Sequence, residues 1–346
     1  MSVGGRLEAI CRAGLDDRAL RIALLTELRA HVTFDSYAWL LTDPETCVGS
    51  APLAEIPSLD DLPTLIRLKY LTPINRWTSL PANGASTLLQ ATGGARETST
   101  MWAGLLAGYG VADVASTVFR DRFGCWGFLD LWRTGGAFST DERGVLEDVA
   151  RVATPALRRS LAPTFSVPSS AGSDAGGEPA VLLLSDALRL VTQTPRTDAY
   201  LRALLPTETA RSPVPAGAYN VAAQLLAREH GVDAHGPWAR VYLDDGRWVT
   251  LRAARMVGPS PSAERIAVSI EPTPPAERAA LYARVVGLSD RETEVLLLLV
   301  AGRDTREVGR RLFVSEHTVQ DHLKSIFTKA DARSRRVLIA RATGAV

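Results

Sequence analysis

Apolar residues recur along this chain with two periods, and the switches between them mark its elements. Residues 16–32 carry Leu20, Leu24, Leu25 and Leu28 on one face at helical spacing, which predicts an amphipathic helix. Short β-rich runs at 36–42 and 47–49 predict strands around a DPET turn, and 113–120 and 124–133 predict two more joined by DRF. Ser139 with Glu142 has the spacing in which each side chain satisfies the other's backbone N–H, so a helix is predicted from there to about residue 161. Further on, 180–184, 188–193, 238–243, 248–256 and 265–271 read as strands, and 197–205 and 216–229 as helices. Asp244-Asp245-Gly246 supplies the turn of a hairpin.

The last stretch is helical throughout. Ser289 and Glu292 form a second capping-box spacing before TEVLLLLVAG, which stops at Gly302. A short helix at 305–312 follows. Ser315 then caps a third helix to about Thr328, Asp331 is a plausible cap residue, and Ser334 caps a fourth at about 335–343. Between these regions lie two breaks, a Pro-, Ser- and Gly-rich stretch at 163–179 and the shorter EPTPPAE at 271–277. No internal repeat stands at a fixed period. The expected architecture is multidomain α+β. An antiparallel sheet domain (1–162), a flexible linker (163–179) and a second sheet domain (180–275) precede an all-α four-helix domain (277–346).

Composition narrows the function. The 346 residues allow two to three domains. With 39 basic and 38 acidic side chains the net charge is +1, which by itself points to neither nucleic acid nor an anionic membrane. Divided by region, the picture changes: residues 277–346 hold 13 basic and 9 acidic groups, whereas residues 1–276 hold 26 and 29. A basic tail on an acidic body is the distribution of a nucleic-acid-binding end. Only three of the basic residues are lysine, and two of them are Lys324 and Lys329.

Several classes are not expected. No apolar run reaches the roughly 18 residues of a spanning helix and no secretory h-region opens the chain, so no membrane partner is expected. Cys11, Cys47 and Cys125 fit neither a disulfide framework nor a zinc site, which suggests a reducing, cytoplasmic setting. His31, His230 and His235 lack ligand spacing, so no metal is expected. Gly108-Tyr109-Gly110 lacks the third glycine and the preceding strand of a dinucleotide fingerprint. Nucleophile-elbow, Walker A and zinc-protease motifs are missing from the sequence, so neither an enzyme nor a cofactor is expected.

The third helix of the tail sorts its residues by face. Val319, Leu323, Ile326 and Phe327 form an apolar stripe. Gln320 and Lys324, four apart, lie on another face with Asp321 beside them. A helix fits the major groove of B-form DNA, where Gln pairs with adenine, Lys donates to guanine and Asp accepts from cytosine. Ser315 and Thr318 at its N-terminus, and Lys329, Arg333 and Arg335 beyond its end, are candidate phosphate contacts. Gly309 sits inside the short helix, where glycine costs roughly 1 kcal/mol against alanine; a close approach to the third helix would demand it.

GLSDRETEVLLLLVAGRDTREVGRRLFVSEHTVQDHLKSIFTKADARSRRVLIARA, residues 287–342, resembles the LuxR-type, GerE-like DNA-binding domain. The resemblance is carried by Arg291-Glu292, Gly302, Glu307, Leu312, Ser315, Thr318-Val319, His322, Lys329 and Ser334-Arg335. It implies base contacts from Gln320, Asp321 and Lys324, and a dimer contact through Leu338 and Ala342 of the fourth helix. Gly309 stands where the family usually has alanine, and Asp331 where it more often has glycine.

The blocks before it resemble GAF and PAS sensor domains, in GCWGFLDLWR with FSTDERGVLEDVA, and in DGRWVTLRAAR with RIAVSIEP. Such domains hold a small ligand or dimerise; the aromatics Tyr37, Trp39, Tyr70, Trp77, Trp102, Tyr109, Trp126 and Trp132 are of the kind that lines a pocket, with Trp39, Tyr70, Trp77 and Trp126 as the candidate pocket residues. The expected protein is a one-component transcription regulator, an activator by resemblance. It would bind double-stranded DNA as a homodimer, near RNA polymerase. Alternatives are a response regulator, an acyl-homoserine-lactone receptor with the same tail, or a sensor that does not bind DNA.

Overall fold

The computed structural model describes residues 3–166, 179–204, 216–243, 246–258 and 264–344. The chain divides into two compact units. One comprises Met1–Leu157, Glu178–Val241 and Thr250–Glu271, the other Arg158–Gly177, Tyr242–Val249 and Pro272–Val346. Among the described residues no helix is long and apolar enough to cross a membrane.

The first unit is built on two five-stranded sheets. In one, β1 (Ser36–Thr42), β2 (Gly49–Glu55), β3 (Ala85–Thr87), β4 (Asp113–Asp121) and β5 (Gly124–Arg133) lie in the order β2-β1-β5-β4-β3, all antiparallel. Helices α1 (Val3–Arg12), α2 (Asp17–Leu28), α3 (Leu62–Leu71), α4 (Leu88–Ala91), α5 (Thr100–Gly104) and α6 (Thr140–Ser160) accompany it. The α2 stripe is buried as its spacing requires, and Arg21 ties the helix to the sheet by donating to Trp39 O at 3.1 Å and Ala51 O at 2.8 Å. Ser139 and Glu142 make both hydrogen bonds of the capping box that starts α6.

The other sheet contains β6 (Ala180–Leu184), β7 (Leu190–Gln193), β8 (Trp238–Tyr242), β9 (Trp248–Met256) and β10 (Arg265–Pro272), in the order β7-β6-β10-β9-β8. Helices α7 (Pro195–Leu204) and α8 (Ala216–Glu229) lie between β7 and β8 in the chain. Numbered within each sheet, the strand order is the same, 2-1-5-4-3. The duplication is architectural and leaves no sequence repeat, because a sheet needs only alternation and turns, not particular residues.

Buried polar groups join the two halves of this unit. Asp43, in the β1–β2 turn, takes Arg240 Nε at 2.7 Å, Nη2 at 2.9 Å and backbone N at 3.0 Å. Arg76 donates to Asp233 at 2.8 Å and to Gln224 at 2.9 Å, and Thr46 donates to Trp238 O at 2.7 Å. Helix α8 also packs on α3 and β2.

Two strand expectations shift. Cys47 adopts φ 60° inside a tight turn closed by its N–H to Asp43 O at 2.8 Å, so the strand begins at Gly49, not at 47. Leu188 likewise has φ 56°, and β7 starts at Leu190. Helices α1, α3, α4 and α5 and strand β3 add to the predicted elements. Of the expected linker 163–179, residues 163–165 belong to a 3-10 turn that buries Phe165, and 167–178 lie outside the described residues. Asp244 and Asp245 of the hairpin turn lie outside them as well.

Among the described residues the second unit contains the helices α9 (Pro275–Val285), α10 (Asp290–Val300), α11 (Thr305–Leu312), α12 (Glu316–Lys329) and α13 (Arg335–Thr343). The last four match the predicted helices closely. Helix α9 is additional. Pro275 at its first turn and Glu277 just after are ordinary start signals, hidden by the proline-rich break around them. It buries Ala279, Leu281, Tyr282 and Val285 and packs on α10 and α13. Phe165, Trp248 and Tyr282 form an aromatic cluster beside it, with centroids 5.1 Å apart in both pairs that Phe165 makes.

Candidate nucleic-acid interface and ligand cavity

Local chemistry sets the ends of the α11–α12 pair. Asp304 caps α11 by accepting from Glu307 N at 2.7 Å, and Ser315 caps α12 by accepting from Thr318 N at 3.1 Å. The turn between them passes through Phe313, which is left-handed at φ 56° and 94% exposed. Val314 N–H closes it on Gly309 O at 3.0 Å. A methyl on Gly309 would stand 2.9 Å from Val314 O, a backbone atom that cannot swing away. The close approach is therefore to the turn itself. Gly309→Ala gains about 1 kcal/mol of helix propensity and loses about 1–3 kcal/mol to overpacking. A net loss near 1 kcal/mol is expected, read from urea unfolding of this unit; a stabilised variant would refute the close packing.

Glu292 holds α12 against α10. The capping box with Ser289 is complete, and the carboxylate also accepts from Ser325 Oγ at 2.6 Å and Lys329 Nζ at 2.6 Å. Burial pushes this carboxyl up, but the bonds from Lys329, Ser325 and Ser289 outweigh it and hold it at about 2. Arg291 donates to Leu312 O and so ties the start of α10 to the end of α11.

With α12 fixed, its faces are settled. Val319, Leu323 and Ile326 are buried, and Gln320, Asp321 and Lys324 are exposed. Lys324 Nζ donates to Asp321 at 3.1 Å, and His317 lies 3.6 Å from the same carboxylate. The bond from Lys324 keeps the Asp321 carboxyl below its usual range. Asp321 thus positions Lys324 in the free protein. Water screens an exposed pair of this kind, so it contributes little and gives way readily to a stronger partner.

The expected phosphate contacts divide. Ser315 and Thr318 hydroxyls lie 2.9 Å apart at the helix N-terminus, and Arg333 is exposed. Arg335 donates to Arg303 O, and Lys329 is engaged by Glu292, so both serve the fold. Arg306, Arg310 and Arg311 of α11 are exposed basic residues that the sequence reading passed over. The i, i+4 spacing of Arg306 and Arg310, with Arg311 next to them beside the turn, was the available signal.

The expected dimer contact needs correction. Leu338 and Ala342 are both 0% exposed, buried inside this chain with α13 packed on α9 and α10. Arg278 of α9 donates to Arg341 O at 2.6 Å, and Arg341 to Ala330 O at 2.8 Å, which secures that packing. The extra helix supplies the apolar partner that a second copy was expected to supply.

A cavity of about 290 Å3 lies in the first unit, walled by β1, β2, β5, α3 and α8. Ala38 and Leu40 of β1 line it opposite Asp130 and Phe128 of β5, their register partners. Trp39 lies between the two on the chain and so faces the other side of the sheet, where it stacks on Phe119 at 4.9 Å. Trp77 stacks on Phe128 at 4.3 Å and donates to Cys47 O, and Trp126 donates to Asp121 at 2.9 Å. Of the four candidate pocket aromatics only Tyr70 lines the cavity; Trp39, Trp77 and Trp126 are core. Trp132, two residues beyond Asp130 and also among the aromatics read from the sequence, lines it too.

Residues 286–342 match the GerE family of bacterial regulatory proteins, luxR family. The transcriptional activator protein CarR of Pectobacterium carotovorum is 46% identical over 55 residues, which are 16% of this chain and 22% of CarR. The spore germination protein GerE of Bacillus subtilis is 40% identical over 48 residues, 14% of this chain and 65% of GerE. The chain thus spans less than two thirds of either relative. The crystal structure of Escherichia coli SdiA covers 95% of this chain and 96% of its own, at 12% identity and a TM-score of 0.29. Residues 286–342 are a helix-turn-helix domain of the luxR family of bacterial regulatory proteins.

Proposed function

We propose that this chain is a one-component transcription regulator that reads DNA with α12 and responds to a small molecule bound in its first unit. The carrying observation is the division of α12: its apolar stripe is buried and Gln320, Asp321 and Lys324 stand exposed on a helix fixed at both ends. Gln320 and Lys324 are the base readers in this reading, with Asp321 releasing Lys324 to a guanine. Ser315, Thr318 and Arg333, joined by Arg306, Arg310 and Arg311, contact phosphates, with Lys329 and Arg335 as supports for the helices. Activation is favoured over repression by the name of CarR, and contact with RNA polymerase belongs to the same reading.

A two-fold related site with half-sites about one helical turn apart calls for a homodimer. Pairing through Leu338 and Ala342 requires α9 to leave α13. Selection of bound duplexes from a random library by the full-length protein tests the reading, and failure to enrich any sequence at low salt overturns it. On the selected site Lys324→Ala is expected to cost about 1–3 kcal/mol and relax one base position. Affinity for random duplex should change far less. Equal losses on both would remove Lys324 from the base readers.

A further inference from the structure

Cys47 and Cys125 lie far apart in the sequence and are pinned to one turn of the fold. Cys125 N–H donates to Pro44 O at 3.1 Å and Thr42 Oγ1 donates to Cys125 O at 2.7 Å, so Cys125 is held against the β1–β2 turn. Cys47 closes that turn by its N–H to Asp43 O at 2.8 Å, and Trp77 Nε1 donates to its carbonyl at 2.8 Å. With both backbones fixed, the two thiols hydrogen-bond to each other. The bond from Cys47 brings the Cys125 thiol down to about 6 against its burial, with the Arg120 charge assisting. The same bond, joined by burial, pushes the Cys47 thiol up. The pair therefore gives up one proton easily and keeps the other, and the charge can stand on either sulfur.

A histidine and a carboxylate face Cys47. His235 Nε2 lies 3.8 Å from Cys47 Sγ, and His235 Nδ1 lies 2.6 Å from Asp233 Oδ1. Asp233 is itself fixed, taking the His235 backbone N–H, Arg76 Nε and Thr78 Oγ1, each at 2.8 Å. Burial pushes this carboxyl up, but the bonds from His235, Arg76 and Thr78 outweigh it and hold it far below the usual carboxylate range. An ionised Asp233 only accepts, so in the neutral imidazole Nδ1 carries the proton and the Nε2 lone pair is left for Cys47. A base beside a thiol, oriented by a carboxylate, is the arrangement that activates a sulfur nucleophile. Cys47 is 5% exposed against 1% for Cys125, and the His235 side chain is 38% exposed, so the approach for a small molecule is from the His235 side.

We infer that Cys47 and Cys125 form a peroxide-reactive dithiol, in which Cys47 attacks, Cys125 resolves, and His235, held by Asp233, carries the proton. His235 Nε2 takes the Cys47 proton, and the thiolate attacks one oxygen of hydrogen peroxide. The S–O bond forms, the O–O bond breaks, and the departing hydroxide recovers the proton from His235 and leaves as water. Cys125 then attacks the Cys47 sulfur. The S–S bond forms, the S–O bond breaks, and the Cys125 proton leaves with the hydroxide as a second water. The two thiols are oxidised to one disulfide and one peroxide is reduced; exchange with a small thiol reverses the change. The linkage forms in the turn whose Asp43 and Thr46 bond Arg240 and Trp238 O, so oxidation acts on the contacts that join the halves of the unit.

Equimolar hydrogen peroxide on the reduced full-length protein at neutral pH tests it, followed by alkylation of remaining thiols, intact mass and peptide mapping. Cys47 and Cys125 should lose their thiols together, with a mass lower by two hydrogens, while Cys11 keeps its own. Dithiothreitol should restore both. Cys125→Ser should stop at a sulfenic acid on Cys47, captured by dimedone. His235→Gln should slow oxidation of the pair by about tenfold or more with the alkylation rate of Cys11 unchanged. Survival of both thiols in excess peroxide overturns the inference. So does oxidation of Cys11 ahead of the pair, oxidised Cys47 that never joins Cys125, or an unchanged rate in His235→Gln. The linkage is read in the wild-type chain, so the test holds even where a variant does not fold. It is also independent of the DNA reading, because enrichment of a duplex and oxidation of the pair are measured separately.

Discussion

Asp43→Ala should destabilise the first unit by about 3–5 kcal/mol, the usual cost of breaking a buried ion pair from one side. Asp43 and Arg240 have side chains 0% and 1% exposed, and the guanidinium grips both carboxylate oxygens. Burial pushes the Asp43 carboxyl up, yet Arg240 more than offsets this and keeps it below the usual carboxylate range. Without Asp43 the Arg240 charge stays buried and loses the carboxylate that grips it at both oxygens, while Glu45 stands at 3.2 Å. Against a typical domain stability of about 5–15 kcal/mol, that is a large fraction. Urea unfolding of the full-length protein, followed by tryptophan fluorescence and far-UV circular dichroism, reads the effect. Because the pair joins the two sheet-bearing halves, both probes should move to a lower midpoint together. A second substitution, Arg240→Met, should recover part of the loss by replacing a buried charge that has lost the Asp43 carboxylate with an apolar chain. A shift below about 1 kcal/mol, or loss of one sheet alone, would mean that the pair does not join the halves.

Lys329→Met should cost the second unit about 2–4 kcal/mol, because Glu292 then keeps its burial and loses its cation. The figure is set below that for Asp43 because Lys329 is 36% exposed and water screens the pair. Acid titration supplies an independent readout. Glu292 titrates at about 2 when folded, against an ordinary value of 4.5. A depressed carboxyl stabilises the fold above its unfolded pKa and loses that contribution as pH falls towards the folded value. The wild-type unit should therefore weaken between about pH 4.5 and pH 2, and Lys329→Met should show a smaller change over that window. If instead stability is unchanged and the salt dependence of DNA affinity falls by about one in slope, Lys329 is a phosphate contact and not a support.

Lys329 illustrates which kind of inference from sequence succeeds. Its place at the far end of the third predicted helix was legible, and it is the last residue of α12, but its partner was not. Glu292 was read as the far half of a capping box with Ser289, and it is that, yet the same carboxylate reaches 37 positions along the chain. Local periodicity and capping depend on neighbours within a few residues, so the ends of α10 to α13 could be placed closely from the residues alone. A buried carboxylate's second partner depends on how helices pack.

The cavity shows the same boundary. Eight aromatics, Trp132 among them, were read as able to line a pocket and four were put first, yet of those four Trp39, Trp77 and Trp126 are core. Once β1 and β5 are known to pair with Leu40 opposite Phe128, alternation alone puts Trp39 on the other face and leads from Phe128 through Asp130 to Trp132. Register was the missing quantity, because a one-residue slip reverses every assignment. Asn220 was unreachable even so, since it enters the wall from a helix 171 residues beyond its partner Gly49.

By itself the sequence determined the alternation of helices and strands, the four helices of the luxR-type domain, their caps, and the face of α12 that carries Gln320, Asp321 and Lys324. All of these follow from short-range spacing and from the basic bias of residues 277–346. Only the tertiary structure decided that both sheets share one unit through Asp43–Arg240 and Arg76–Asp233. It also decided that α9 buries Leu338 and Ala342, and that Trp132, Tyr70 and Asn220 meet at one cavity. The reason is physical: side-chain period is a property of a segment. Burial and pairing are properties of the surfaces that segments present to each other, and those surfaces exist only after the chain has closed on itself.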